Sequence, residues 1–191
     1  ALGTSESTLI EMTGAYAGIL NGGTSVRPYG IASLRLLGES EPLAGRTGGI
    51  GERVIRTKTA RELTYMMYEV IQKGTGQRAQ IDGIEIAGKT GTTQAARDAW
   101  FIGFTSDFVI GVWMGYDDNR PLKGVTGGSI PADIWRETML AIIEQAKPSP
   151  LPMLRDRIPA GAGRSPIDGT PETPKAKTLR QLLFGLFSKE N

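Results

Sequence analysis

Apolar side chains recur at three- and four-residue spacing through Leu9, Met12, Tyr16, Ile19 and Leu20, the repeat of a helix face. Thr8 and Glu11 form a capping-box pattern ahead of this run, and Asn21-Gly22-Gly23 ends it. Residues from Ile31 to Leu37 read as a strand, and the glycine-rich segment from Gly38 to Glu52 as a loop leading to a short Val54-Ile55 strand. A second helix is expected next, capped by Thr57 or Thr59 and ended by Gly74, with Leu63, Met66, Met67, Val70 and Ile71 as its apolar face. From Ile84 the period changes to two. IEIAGKT, WFIGFT and FVIGVWMGY, separated by QAARD and SD, predict three consecutive strands of an antiparallel meander. Helical spacing returns from Pro131 to Gln145 and turns Ile134, Trp135, Met139 or Thr138, Ile142 and Ile143 inward. Trp113 and Trp135 are expected in or near the core.

After Lys147 the pattern fails. KPSPLP and IPAGAGRSPIDGTPETPKAK are rich in proline and glycine with almost no large apolar residues, which predicts an extended, largely disordered tail. The terminal TLRQLLFGLF regains helical spacing at Leu179, Leu182, Leu183 and Leu186; it reads either as a short helix docking on a partner or lipid, or as a weakly ordered end. The organisation is thus one folded unit over residues 1–147 and a tail over residues 148–191. The opening ALGTSESTL lacks a charged region followed by an apolar stretch and is read as an internal cut. Apolar faces of the sheet and first helix would then be left uncovered, and the chain is expected to be poorly soluble alone or to need a partner.

Composition removes whole classes of chemistry. In 191 residues with 22 basic and 20 acidic side chains the net charge is +2, so nothing in the overall balance calls for nucleic acid. No apolar run reaches the roughly 18 to 20 residues of a membrane span. The absence of cysteine and histidine excludes disulfides, thiolate metal sites and the commonest general base. No metal or cofactor is expected, and any proton carrier must be Lys, Asp, Glu or Tyr.

Chemistry concentrates in IEIAGKTGTTQAARDAWFIGF, Ile84 to Phe104. Gly83 to Thr90 satisfies G-x-x-x-x-G-K-[ST], the phosphate-binding loop of nucleotide hydrolases. Its context opposes that reading: the residues between the glycines alternate as a strand, and Gly91-Thr92-Thr93 starts a helix poorly. The other reading places the lysine on a strand, since K-T-G is part of the signature of penicillin-binding proteins and class A β-lactamases.

The likeness extends beyond the triplet. ALGTSEST, AYAGILNGG, VIQKGTGQRA, AGKTGTTQAARDAWFIGF, GVWMGYDD and VTGGSIPADIW closely resemble, in order and spacing, the C-terminal part of the transpeptidase domain of class A penicillin-binding proteins, bifunctional enzymes that polymerise and crosslink peptidoglycan. The resemblance covers Ala1 to Lys147. It implies an α+β fold of the penicillin-binding transpeptidase and β-lactamase type, an antiparallel sheet flanked by helices, here N-terminally incomplete.

For the site, the resemblance implies that Lys89 and Thr92 are catalytic and that Thr90, Gly91, Thr92 and Thr93 bind substrate. Lys89 with the hydroxyls of Thr90 and Thr92 would hold a substrate carboxylate, and the backbone N–H of Thr92 would supply half of an oxyanion hole. Gly88 and Gly91 would let a substrate backbone approach; Thr93 would orient the strand, and Asp98 and Trp100 would brace the turn. The implied ligands are peptidoglycan stem peptides and β-lactams, with other cell-wall synthesis proteins as partners. The implied location is the periplasmic side of the bacterial cytoplasmic membrane, reached through an upstream transmembrane helix.

The family also needs a serine three residues before a lysine, and a Ser-x-Asn. None of the serines, from Ser5 to Ser188, has lysine at the third following position, and no Ser-x-Asn occurs. The chain therefore reads as half a site, inactive alone; a non-catalytic interaction module is the remaining alternative.

Overall fold

The structure is a computed structural model and describes residues 6–45, 49–144 and 148–155. Helix α1, Leu9–Leu20, begins as its sequence predicts: Glu11 N–H donates to Thr8 Oγ1 and Thr8 N–H to the Glu11 carboxylate, a complete capping box. Its apolar face is less buried than the spacing implies. Leu9 is exposed, and the buried positions are Gly14 and Gly18, where strand β1, Thr24–Val26, turns back along the helix. A methyl group on Gly18 would lie 2.7 Å from the Thr24 carbonyl oxygen.

The segment between the two long helices departs most from expectation. Strand β1 pairs antiparallel with β2, Ile50–Arg53, and neither was legible as a strand. The strand expected over Ile31 to Leu37 is absent; one isolated bridge joins Leu34 and Ala44. Ile31, Leu34, Leu36 and Leu37 stay exposed, because no facing layer buries them. The strand expected at Val54-Ile55 lies just past β2, where both N–H groups donate to the Gly23 carbonyl. Helix α2, Thr57–Lys73, is capped by Arg56 without a side-chain bond; Thr57 accepts from the Arg53 guanidinium instead, and neither expected threonine caps the helix. Met66 is exposed, which corrects its place on the apolar face, and Gly74 ends the helix as expected.

Three strands, β3 (Ala87–Thr92), β4 (Asp98–Phe104) and β5 (Val109–Gly115), form an antiparallel sheet in the order β3-β4-β5. The meander is as predicted, although β3 starts later than Ile84 and runs to Thr92. Helix α3, Ile130–Ile143, covers one sheet face. There the ring of Phe101 meets Trp135 edge-on at 5.6 Å, and Trp135 Nε1 donates to the Gly103 carbonyl at 3.1 Å. Burying a large side chain of this kind stabilises by roughly 1.5 to 3 kcal/mol, and the indole N–H keeps its hydrogen bond. Gly103 is required at this contact, since a Cβ would lie 2.8 Å from the Trp135 ring. Ile71, Ala79, Ile86, Ala132 and Met139 complete this cluster, whereas Ile134 is exposed and corrects the inward face. On the other face Tyr16 and Leu20 of α1 and Met67 and Tyr68 of α2 pack around Phe104 and Ala87. Trp113 is 40% exposed rather than core, on β5, which has no second strand partner among the described residues.

Of the expected tail, residues 148–155 lie against this core. Leu151 is buried with Phe104 and Ala87, its N–H donates to Glu85 Oε2 at 2.9 Å, and Arg155 pairs with the same carboxylate. Residues 156–191, including the helix expected within TLRQLLFGLF, lie outside the described residues. The architecture is α+β, with helices on both faces of an antiparallel sheet.

Candidate functional site

Strand β3 carries the whole AGKTGT run and, among the described residues, has a strand partner on one side only, β4. Thr93 N–H donates to the Asp98 carbonyl at 3.0 Å. In an antiparallel pair hydrogen-bonded and non-hydrogen-bonded positions alternate. Gly91 and Lys89 therefore pair inward with Trp100 and Ile102, while Gly88, Thr90 and Thr92 turn their N–H and C=O groups to the unpaired edge. An extended ligand backbone could pair with that edge.

Side chains alternate as well. Thr90 and Thr92 share the face of Phe101, Ala99 and Val112, and Lys89 and Gly91 share that of Ile102, Trp100 and Trp113. Lys89 nevertheless reaches the edge: its Nζ donates to the Thr90 carbonyl at 2.6 Å. The ammonium is exposed, and no carboxylate lies within ion-pair distance of it among the described residues. A cation held on a carbonyl at a strand edge is placed to receive an anion.

The two hydroxyls are held by segments far away in sequence. Thr90 Oγ1 lies 2.6 Å from Thr75 Oγ1, in the loop after α2. Thr92 Oγ1 accepts from Gly127 N–H at 3.1 Å, in the loop before α3. The Gly127-Gly128 pair sits directly over the strand: a Cβ on Gly127 would lie 2.2 Å from the Trp100 oxygen and 2.5 Å from the Gly91 oxygen, and one on Gly128 would lie 2.2 Å from the Thr75 oxygen. Only glycine permits this approach. Thr75 and Gly127 were not singled out from the sequence. GTG and VTGGS stand out as small polar clusters, but nothing local shows that they fold onto β3.

The end of the strand is braced. Thr93 Oγ1 accepts from Asp98 N–H at 2.8 Å and bonds the Asp98 carboxylate at 3.1 Å, and that carboxylate accepts from Trp113 Nε1 at 3.0 Å. Trp100 stacks beside it, tilted, 6.2 Å from Trp113. Between Thr93 and Asp98 the chain turns through Ala95 and Ala96, with φ of 59° and 50°, a left-handed region unfavourable for alanine. Leu122 N–H donates to the Ala96 carbonyl at 2.7 Å and pins the turn.

The structure thus groups Lys89, Thr90 and the outward Thr92 N–H along one edge, turns the Thr92 hydroxyl toward Gly127, and gathers Thr93, Asp98 and Trp100 at the turn. It does not support the phosphate-loop reading. Ala87 to Thr92 is a paired strand that runs on past Thr90 instead of opening an α-helix there, and only a single 3-10 turn, Gln94–Ala96, follows, so the strand lacks the helix N-terminus and dipole that such a loop uses.

Residues 1–140 match the penicillin binding protein transpeptidase domain. The chain is 35% identical over 143 residues to penicillin-binding protein 1A of Aquifex aeolicus, covering 74% of this chain and 19% of that protein, so it spans about a fifth of that relative's length. Its fold is similar to the D,D-transpeptidase domain of a peptidoglycan glycosyltransferase from Eggerthella lenta, with a TM-score of 0.60 and 26% identity over 73% of this chain and 33% of that one. It is also similar to penicillin-binding protein A from M. tuberculosis, solved as an imipenem acyl-enzyme complex, with a TM-score of 0.57 and 27% identity over 69% and 30% of the two chains. With matching sequence, matching fold and the Lys-Thr-Gly strand at an open sheet edge, the chain belongs to the penicillin-binding protein transpeptidase family.

Proposed function

We propose that this chain forms the strand wall of a serine D,D-transpeptidase site that crosslinks peptidoglycan, and that the same wall binds β-lactams. The observation that carries the reading is the edge of β3, where Lys89 Nζ rests on the Thr90 carbonyl beside an outward Thr92 N–H. In the reaction, a serine hydroxyl attacks the carbonyl carbon of the penultimate D-alanine of a stem peptide. The oxyanion that forms accepts from Thr92 N–H. Collapse breaks the amide, the terminal D-alanine leaves as an amine after gaining a proton, and a serine ester remains. An amine of a second stem attacks that ester, restoring the serine and forming the crosslink. Lys89, with Thr90 and Thr92, holds the carboxylate of the departing residue.

The nucleophile is not among these 191 residues, because no Ser-x-x-Lys occurs. It would come from the rest of the parent protein, and this chain alone would be inactive. A parent of this kind works on the outer side of the cytoplasmic membrane, held by a transmembrane segment; among the described residues no helix is long and apolar enough to cross a membrane. The test is acylation of the full-length parent by a fluorescent penicillin. Covalent labelling that falls at least about tenfold in Lys89→Ala supports the reading. Labelling unchanged by that substitution, or ATP binding that disappears with it, would overturn it.

A further inference from the structure

The hydroxyls of Thr75 and Thr90 lie 2.6 Å apart, a short hydrogen bond between two groups that can each donate or accept. Only one proton lies between the two oxygens. If Thr90 donates to Thr75, it has no proton left for a ligand. If Thr75 donates to Thr90, the Thr90 proton is free to turn outward. An anion at the edge of β3 selects the second arrangement, because a carboxylate accepts and cannot donate. Thr75 is exposed and Thr90 half-buried, so solvent reaches the pair, and Lys89 Nζ rests on the carbonyl of the same Thr90.

The scaffold fixes Thr75 rather than leaving it on a loose loop. Gly74 N–H and Gly76 N–H both donate to the Val70 carbonyl, at 3.0 and 3.1 Å, so the loop is wound onto the end of α2. Gly128 packs on the Thr75 carbonyl so closely that a Cβ there would be 2.2 Å from the oxygen. Gly76 is buried and sits against Ile71 and Phe101, which ties the loop to the main core cluster.

We infer that Thr75 is a positioning residue for carboxylate recognition: its hydroxyl donates to Thr90 Oγ1 and directs the Thr90 proton toward the carboxylate of the bound stem peptide. The inference rests on the proposed carboxylate site at Lys89 and Thr90. It predicts selectivity for a free acid over the same ligand with its charge masked.

The experiment uses the full-length parent and two probes, a thioester stem-peptide mimic ending in a free carboxylate and its methyl ester. kcat/KM is measured for wild type, Thr75→Val, Thr75→Ser, Thr90→Val and Lys89→Ala, with a thermal melt of each. Thr75→Val is expected to lower kcat/KM for the acid about five- to tenfold, the size of one weakened charge-assisted hydrogen bond, and for the ester less than about twofold. Thr75→Ser keeps the hydroxyl and should stay within about twofold of wild type on both probes. Equal losses on acid and ester in Thr75→Val would mean that the residue only supports the fold and would overturn the inference. So would an unchanged acid preference in Thr75→Val when Lys89→Ala and Thr90→Val abolish it, and the carboxylate site itself would survive that result. If Lys89→Ala and Thr90→Val also leave the preference intact, the carboxylate site is wrong and the role of Thr75 falls with it.

Discussion

The indole N–H of Trp113 donates to the carboxylate of Asp98 at 3.0 Å, joining the edge strand β5 to the residue where β4 begins. Asp98 also bonds Thr93 Oγ1, so a single carboxylate holds the end of β3 and its turn in register. Asp98→Ala removes both side-chain contacts and should cost about 1.5 to 3 kcal/mol, the range for hydrogen bonds to a charged group. Trp113→Phe removes one and should cost less. Denaturant unfolding of the two variants checks the order; equal stability of Asp98→Ala and wild type would show that the turn holds without the carboxylate.

In the full-length parent, Lys89→Ala should slow acylation at least about tenfold, through loss of charge-assisted bonds of roughly 1.5 to 3 kcal/mol. Lys89→Arg should restore only part, since a planar fork does not match the position of a compact ammonium. Thr92→Val keeps the backbone N–H but leaves Gly127 N–H without its acceptor, and its defect should be smaller than that of Lys89→Ala. Stopped-flow labelling with a penicillin gives all three rates.

Gly127→Ala tests the loop that covers β3. Its Cβ would fall 2.2 Å from the Trp100 oxygen, a backbone atom that cannot rotate away. The loop must lift, losing the bond to Thr92, with an expected cost of about 1 to 3 kcal/mol. A shift of the β3 amide resonances without global unfolding would place the damage at the site strand.

Thr105 directly follows β4, with its hydroxyl fully buried and unpartnered among the described residues. Thr105→Val keeps the shape and removes the unsatisfied group, so it should stabilise the fold by about 1 kcal/mol. A lower midpoint in denaturant would mean that the hydroxyl is satisfied in solution.

Burial pushes the Glu85 carboxyl up, but the Arg155 guanidinium and the Leu151 amide outweigh it and hold the group below the usual glutamate value. The folded state then binds fewer protons than the unfolded chain. The stabilisation is fully present above the ordinary glutamate value and fades as pH falls through the lowered folded value. Acid should loosen residues 148–155, seen as faster proteolysis near Arg155, and Glu85→Gln should flatten that pH dependence.

Several features were settled by the sequence alone. Period-two alternation from Ile84 to Tyr116 predicts three strands, and short connections between them predict an antiparallel meander, which the sheet bears out with a later start for β3. The capping box at Thr8 and the stop at Gly74 are likewise local, since each depends on contacts within a turn or two. The Lys-Thr-Gly run, with its flanking motifs, was enough to indicate the family and to set the lysine on a strand rather than in a phosphate loop. Tertiary structure decided the rest. Ile31 to Leu37 has strand composition but gains no partner layer, and β1 and β2 form instead because their backbones meet. Ile134 and Met66 fit a helix period yet lie outward, since which side of a helix is buried depends on where its neighbours stand. Leu151 becomes core through Phe104, far upstream. The partners of the site hydroxyls, Thr75 and Gly127, are 15 and 35 residues from the threonines they touch. No local period or motif encodes such a pairing; it exists only once the sheet and both loops have been brought together.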